Sequence, residues 1–214
     1  MDDATLSPAA ERLLAAAMTL FAEKGYERTS VGEIQEVAGL TFGSGALYKH
    51  FASKEAVLAE GVDRFVAHAT SQRTSLAALD DLALPEALSA IARMAMASFA
   101  ADRDALRIAW RDLEPFPELV EKVRTERIRA TFDDFAAWLD VRAVGGQAAE
   151  SADTGAVAAV ALSALAFFQL LRFLLGDTPG GVDEERFVAA WAGLFAGVLG
   201  AENATQQPGE APAS

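Results

Sequence analysis

The stretch VAGLTFGSGALYKHFASK at residues 37–54 constrains the fold of this chain more than any other. A short apolar pattern ends at Gly39, and Leu47 and Phe51, four residues apart, share one face of the next short segment. Between them lies a turn rich in glycine and small polar residues. Two short helices joined by a turn are typical of a helix-turn-helix. We therefore predict the second half of such a motif here, followed by a supporting helix.

Capping signals place the helices that precede this stretch. Ser7 followed by Pro8 is typical of a helix start, and Gly25 of a helix end. Ser30 with Glu33 three residues later has the pattern of a capping box, which predicts the start of a short helix.

Further signals place the helices of the motif's second half. A second short helix is predicted from Ser44 to His50, with Ala46, Lys49 and His50 facing outward. Ser53 would cap a longer helix over 54–76.

The remainder of the chain has helical periodicity and no strand pattern. Further helices are predicted over 85–100, 102–113, 118–142, 154–176 and 184–200. The fold class is therefore all-α with about nine helices: an N-terminal three-helix helix-turn-helix domain and a C-terminal helical body. We expect three parts: a helix-turn-helix domain at 1–52, a helical body at 53–200, and a disordered tail at 201–214. A loop is expected at 143–153.

Charge and composition exclude several classes of protein. The net charge of −13 argues against a protein that coats nucleic acid non-specifically, although residues 37–54 contain no carboxylate. There is no cysteine, which excludes disulfides and thiol catalysis. The two histidines, His50 and His68, have no partner at metal-ligand spacing. The N-terminus lacks the pattern of a signal peptide, so a cytoplasmic location is expected.

No motif in the sequence predicts an enzyme. The segment GLTFGSG is not a phosphate loop, because Lys-Ser or Lys-Thr does not follow its last glycine. Asp133 and Asp134 are neighbours on a predicted helix and therefore point in different directions. We expect no catalytic residue, no metal and no cofactor.

The segments LLAAAMTLFAEKGYERTSVGEIQEVAGL and GALYKHFASKEAVL resemble the DNA-binding domain of the TetR family of transcriptional regulators. The resemblance covers Leu13 to Leu58, about a fifth of the chain. It implies a dimeric, DNA-binding regulator, most commonly a repressor, that responds to a small molecule. One feature departs from the family: six residues separate Leu40 from Leu47, where the family usually has about four. The start of the recognition helix is therefore left open.

The resemblance and the position of the turn together nominate ten residues as DNA contacts. They are Thr29, Thr41, Phe42, Ser44, Gly45, Ala46, Tyr48, Lys49, His50 and Lys54. No Arg, Asn or Gln lies in the turn, so base reading would depend on Thr41, Ser44, apolar contact to thymine methyl groups by Phe42 or Ala46, and DNA shape.

Alternatives stay open for several of these contacts. The glycines could serve only a tight turn. Tyr48 resembles a phosphate-contacting tyrosine of the family, but its ring could instead pack under the helix. His50 could contact phosphate, or could hydrogen-bond to the N-terminal helix. Lys54 opens a helix, where a phosphate clamp is expected. Thr29 could contact the opposite phosphate strand, whereas Ser30 is expected only to cap.

The last two helices are predicted to form a dimer. The resemblance implies this arrangement, and Gly193 and Gly197, one turn apart, would permit close approach of two helices. The predicted interface residues are Leu171, Ala189, Trp191, Gly193, Leu194, Phe195, Gly197 and Val198. The apolar segment 156–175 could alternatively span a membrane, but Gln169 and Arg172 lie within it and no basic residues flank it, so no membrane contact is expected.

Aromatic and methionine side chains in the middle helices are either ordinary core or the walls of a ligand cavity. The candidate cavity residues are Phe65, Met94, Phe99, Arg107, Trp110, Phe132, Phe135, Trp138, Phe168, Gln169 and Arg172. Double-stranded operator DNA, a second copy of the chain and an unidentified small-molecule effector are therefore the expected partners. The alternative is a helical bundle that binds a small molecule and no DNA.

Overall fold

The computed structural model describes residues 6–144 and 153–200, and these residues contain nine α-helices and no strand. The helices are α1 Pro8–Lys24, α2 Val31–Val37, α3 Lys54–Thr74, α4 Leu84–Ala101, α5 Arg103–Arg111, α6 Pro117–Lys122, α7 Ala130–Val144, α8 Thr154–Leu175 and α9 Glu184–Gly200. The predicted all-α fold class is confirmed.

Several predicted boundaries differ from the observed ones. The single helix expected over 118–142 is interrupted by a π-helical segment, Val123–Arg129, so that α6 and α7 are separate elements. Helix α7 continues to Val144, two residues into the predicted loop at 143–153. Most of that loop, and the predicted tail at 201–214, lie outside the described residues.

The chain divides into two compact units, which comprise, among the described residues, 6–68 with 102–127 and 69–101 with 128–144 and 153–200. The boundary predicted at residue 53 falls inside the first unit, because α3 and α5 share a core with α1 and α2.

The core of the first unit is built from fully buried aliphatic side chains, including Leu13, Ile34, Leu58 and Ile108. Arg111 on α5 also caps the C-terminal end of α1. Its guanidinium donates hydrogen bonds to the carbonyl oxygens of Phe21 and, at 3.2 Å, of Ala22. Carbonyl groups in the last turn of a helix carry partial negative charge, which is why a cation suits the site.

The second unit buries a core between α4, α7, α8 and α9. Phe135 stacks on Trp138, with ring centroids 5.9 Å apart. Arg142 is buried beside them: its guanidinium donates to the carbonyl oxygens of Leu82, at 2.7 Å, and Leu79, and lies 4.6 Å from the Trp138 ring. A buried cation is stable here because the carbonyls and the ring face satisfy it.

Candidate nucleic-acid interface

The first half of the motif begins where its capping signals predicted. Ser30 is the N-cap of α2: its hydroxyl accepts from the Glu33 backbone N–H at 3.3 Å, and the Glu33 carboxylate accepts from the Ser30 N–H at 2.8 Å. The Lys24 ammonium also donates to Glu33. The Lys24 hydrogen bond, reinforced by the Ser30 backbone N–H, lowers the pKa of Glu33 to about 2. Glu33 therefore links the end of α1 to the start of α2.

The predicted second helix, Ser44 to His50, is wrong in type and length. Only a single 3₁₀ turn forms, Ala46–Lys49. Gly43 and Gly45 have φ values of +69° and +68°, a left-handed conformation that a continuous right-handed helix does not allow. The helical turn therefore starts only after Gly45.

Two side chains anchor this turn, as the sequence predicted. Leu47 is fully buried, and Phe51 is buried just after the turn. With these two side chains inward, the turn presents its remaining side chains to solvent. We call residues 41–50 the reading segment.

Most of the predicted DNA contacts lie together on the exposed side of the reading segment. Thr41, Phe42, Ser44, Tyr48, Lys49 and His50 are exposed, and Gly45 and Ala46 are half-buried. The Tyr48 side chain is 60% exposed, so its ring does not pack under the turn. The His50 Nδ1 lies 3.4 Å from the Ser7 hydroxyl, the N-cap of α1, so the alternative contact to the N-terminal helix is the one that forms in the free protein.

The structure contradicts the predicted phosphate contact of Thr29. The residue is 2% exposed, and its hydroxyl donates a hydrogen bond of 2.8 Å to the Gly25 carbonyl oxygen. The side chain therefore closes the loop between α1 and α2 and is not available to a phosphate.

Lys54 also has a structural partner that the sequence did not reveal. Its ammonium donates to the carbonyl oxygens of Tyr26, at 2.9 Å, and Thr29, at 3.0 Å, and lies 4.1 Å from the Tyr26 ring centroid. Two of its three N–H donors are thus committed to the α1–α2 loop. The geometry supports a clip that fixes the start of α3 and not the predicted phosphate clamp.

Tyr26 lies under this clip. Burial raises the pKa of its phenol, and the nearby carboxylates of Glu55 and Glu27 add to the effect. Its ring packs edge-on against Phe116, with centroids 5.0 Å apart. The residue therefore supports the start of α3 through Lys54 and stays neutral at ordinary pH.

Sequence reasoning missed two residues of α2 that touch the reading segment. The Gln35 side chain is fully buried, and its Oε1 accepts the Leu47 backbone N–H at 3.1 Å. Gly32 lies directly beneath the Phe42 ring. Neither contact has a signal in the sequence, because each joins positions ten or more residues apart.

In the second unit, α8 and α9 each expose an apolar stripe. On α8 the exposed side chains recur every three or four residues: Ala156, Val160, Ser163, Phe167 and Leu174, with Leu171 half-buried. On α9 they are Ala189, Ala190, Gly193, Leu194, Gly197 and Val198. A Cβ atom added at Gly193 or Gly197 would meet nothing within 4 Å.

Two residues predicted for the interface face the other way. Trp191 and Phe195 are buried in the core of their own unit, with ring centroids 5.0 Å apart. The Trp191 indole N–H donates to the Ala161 carbonyl oxygen at 2.9 Å. The Trp191 hydrogen bond joins α9 to α8, and neither buried side chain is available to a partner chain.

Helix α8 is long and apolar enough to cross a membrane, with a mean hydropathy of 2.0, and 28% of its most apolar window is buried. One such helix is weak evidence for a membrane span, because core helices of soluble proteins have the same composition.

The candidate cavity residues are spread over both units. Phe65, Arg107 and Trp110 belong to the first, and the other eight to the second. Trp110 is 77% exposed and Phe65 packs under the Arg127 guanidinium, so neither lines an enclosed pocket.

Within the second unit the candidates are mostly packed. Phe168 stacks on Phe187. Gln169 donates to the carbonyl oxygen of Met96 at 3.4 Å, and Arg172 pairs with Glu184. A shallow depression of about 290 Å³ is lined by Thr70, Arg73, Thr74, Leu76, Asp134 and Trp138, of which only Trp138 was predicted.

Comparison with known proteins supports the resemblance in the N-terminal part. Residues 13–60 match the family described as bacterial regulatory proteins, tetR family. No curated protein matches the sequence.

Solved structures extend the likeness to nearly the whole chain. PfmR, a TetR-family transcriptional regulator of Thermus thermophilus, has a TM-score of 0.68 and 26% identity over 86% of this chain and 97% of that one. A tetR-family regulatory protein of Rhodococcus RHA1 has a TM-score of 0.67 and 25% identity over 91% and 98%.

FadR of Bacillus subtilis, solved in complex with stearoyl-CoA, has a TM-score of 0.66 and 16% identity over 88% of this chain and 98% of that one. At this identity the likeness is one of fold. The chain thus carries the helix-turn-helix DNA-binding domain of the tetR family of bacterial regulatory proteins at residues 13–60, within a fold that it shares with regulators of that family.

Proposed function

We propose that the protein is a dimeric transcriptional regulator that binds a pseudo-palindromic double-stranded operator and represses transcription until a small, largely apolar ligand releases it. As a DNA-binding protein it would act in the cytoplasm. The observation that carries the proposal is the exposure pattern of the reading segment: Leu47 and Phe51 are buried, whereas Thr41, Phe42, Tyr48 and Lys49 all face solvent.

This exposure pattern suits DNA because some of the exposed groups can contact phosphates and others can contact base edges. The Lys49 ammonium and the Tyr48 hydroxyl are suited to phosphate oxygens, which position a protein on the duplex. Thr41, Ser44 and the Phe42 ring offer a hydroxyl or an apolar surface to base edges in the major groove. Because the protein is strongly acidic, sequence-independent binding should be weak, so specificity depends on this small surface.

A single reading segment offers little contact area, so a dimer is part of the proposal. The exposed stripes of α8 and α9 are apolar and contain two glycines with open space above them. Large apolar stripes on a soluble protein mark interaction surfaces. Self-association through Val160, Phe167, Leu194 and Val198 would cover them, and a two-fold axis would set two reading segments about 34–36 Å apart, one turn of DNA.

The proposed ligand is a small molecule with a large apolar part. The relative FadR binds stearoyl-CoA, which makes a ligand with a large apolar part a reasonable class to test. The candidate residues in the second unit are Met94, Phe99, Phe132, Phe135, Trp138, Phe168, Gln169 and Arg172. A ligand that favours one spacing of the reading segments by about 1–3 kcal/mol would be enough to change operator occupancy markedly.

The test is titration of the protein against DNA from its own upstream region, at two salt concentrations, with scrambled DNA of the same length as control. Saturable binding by two or more protomers per site, with preference retained at higher salt, would support the proposal. Absence of preference at both salt concentrations would refute it and favour a helical bundle that binds only a small molecule.

A further inference from the structure

One residue of α2 holds both ends of the lengthened turn at 41–46. The backbone carbonyl oxygen of Gln35 accepts the N–H of Leu40 at 2.8 Å, just before the turn, and its side-chain Oε1 accepts the N–H of Leu47 at 3.1 Å, just after it. The two oxygen atoms of Gln35 therefore bracket the six residues between them. This is the segment whose length departs from the pattern of the family.

A second contact fixes the middle of the turn. The Phe42 ring lies on Gly32 of α2 so closely that a Cβ added to Gly32 would be 2.5 and 2.6 Å from two ring carbons. Any other residue at position 32 would displace the ring. The ring is nevertheless 62% exposed, so one face rests on the helix and the rest points to solvent.

The burial of Gln35 argues for a role beyond stability. Its side chain is 0% exposed, and its Nε2 has no hydrogen-bond partner in the described part of the chain. A buried amide group without a partner costs free energy, whereas an apolar side chain of similar length would fill the same space without that cost. The Gln35 Oε1 accepts the hydrogen bond of the Leu47 backbone N–H. This bond to the reading segment is what offsets the free-energy cost of the unpaired Nε2.

We infer that Gln35 and Gly32 are positioning residues that fix the lengthened turn on α2 before DNA arrives, and that the Phe42 ring is thereby held as a specificity-determining contact. The inference rests on the proposed function. A preorganised turn loses less conformational entropy when it binds. The discrimination between DNA sequences would come from the Phe42 ring, as a contact to base edges.

The first experiment compares Gly32→Ala with Gly61→Ala. Both add one methyl group to a helix of the first unit, and a Cβ at Gly61 would meet the Met18 side chain, outside the reading segment. We expect Gly32→Ala to lower the ratio of affinities for upstream and scrambled DNA at least tenfold, because one base contact is worth about tenfold and the proposed dimer has two reading segments. Gly61→Ala should leave this ratio unchanged, because the flexible Met18 side chain can move aside.

The second experiment needs no DNA. Gln35→Met keeps the length of the side chain and removes the acceptor. We expect the Leu47 amide to exchange with solvent at least tenfold faster, while the midpoint of urea unfolding changes little, because the unpaired Nε2 is removed together with the acceptor. A residue with only a structural role would instead lower the midpoint.

The outcomes separate the inference from the proposed function. An unchanged exchange rate at Leu47, or an unchanged affinity ratio in Gly32→Ala, would overturn the inference even if the parent protein binds its upstream DNA. A parent protein that shows no preference for any DNA would overturn the proposed function and with it the specificity role, and the exchange of Leu47 would still decide whether Gln35 holds the turn.

Discussion

The Lys54 ammonium lies 4.1 Å from the centroid of the Tyr26 ring and donates a hydrogen bond of 2.9 Å to the Tyr26 carbonyl oxygen. The same ammonium donates to the Thr29 carbonyl oxygen at 3.0 Å. The first residue of α3 is thus tied to the loop between α1 and α2, across more than twenty positions of sequence. The clip thereby fixes the start of α3, which lies four residues after the end of the reading segment.

The clip predicts that Lys54→Met acts on stability. Loss of two charge-assisted hydrogen bonds and a cation–π contact should lower the free energy of unfolding by about 2 kcal/mol, measured by urea denaturation. Lys49→Met is the matched control, because Lys49 is exposed in the reading segment. It should change stability by less than about 0.5 kcal/mol.

The two lysine variants should also differ in the salt dependence of DNA binding. Lys49→Met should flatten the slope of log affinity against log salt by about 2, because the dimer loses two phosphate contacts on one operator and each is worth about 1. Lys54→Met should leave the slope unchanged. If Lys54→Met kept its stability and flattened the slope, Lys54 would be a phosphate contact and the clip would have no role.

Glu33 predicts a pH dependence of stability. Its pKa is about 2 in the folded protein, chiefly because Lys24 and Ser30 donate to the carboxylate, and the ordinary value is 4.5. A carboxyl group whose pKa is lower in the folded than in the unfolded protein stabilises the fold fully at pH values above the unfolded-state pKa. That stabilisation is lost as the pH falls through the folded-state pKa. Stability from Glu33 is therefore full above about pH 5 and fades towards pH 2.

The measurement is the Tm of Glu33→Gln against that of the parent protein between pH 2 and pH 7. The variant should melt lower at pH 7, and the difference should shrink as the pH falls from 5 to 2. Glu36→Gln, an exposed position on the same helix, is the control. A difference that is equal at pH 2 and pH 7 would contradict the role of the carboxylate charge.

Contacts between residues close in the sequence could be predicted, whereas contacts between distant residues could not. The capping box of Ser30 and Glu33 was predictable because its partners are three residues apart and its chemistry is specific. The buried positions of Leu47 and Phe51 followed from helical spacing. In contrast, the partners of Lys54 and Gln35 come from other elements, and no local pattern indicates them.

The errors have equally physical causes. The spacing of Leu47 and Phe51 predicted a helix from Ser44 to His50, but the left-handed φ of Gly45 delays the start of the helical turn. On α9, Trp191 and Leu194 lie three residues apart and both are apolar, so the sequence does not tell which one faces the core. Trp191 is the buried one, and its indole N–H donates a hydrogen bond to the Ala161 carbonyl oxygen. Leu194 is exposed.

Phe42 predicts a specific chemical readout on the DNA. If its exposed ring contacts thymine methyl groups, upstream DNA made with deoxyuridine in place of thymidine should bind the parent protein about tenfold more weakly. Phe42→Ala should show the same loss on thymidine DNA and little further loss on deoxyuridine DNA. Fully additive losses would show that the ring and the methyl groups act independently.

The exposed stripe on α9 predicts the oligomeric state. Val198 is 51% exposed on this stripe, and Val141 is 66% exposed near the C-terminal end of α7, so Val198→Asp and Val141→Asp introduce the same charge at comparable helix positions. If the stripe is a dimer interface, only Val198→Asp brings a carboxylate into a desolvated apolar contact. We expect it to dissociate the dimer in sedimentation velocity while its helical circular dichroism stays unchanged, and to weaken operator binding because the two reading segments are no longer joined. Val141→Asp should remain dimeric, and a dimeric Val198→Asp would place the interface elsewhere on the chain.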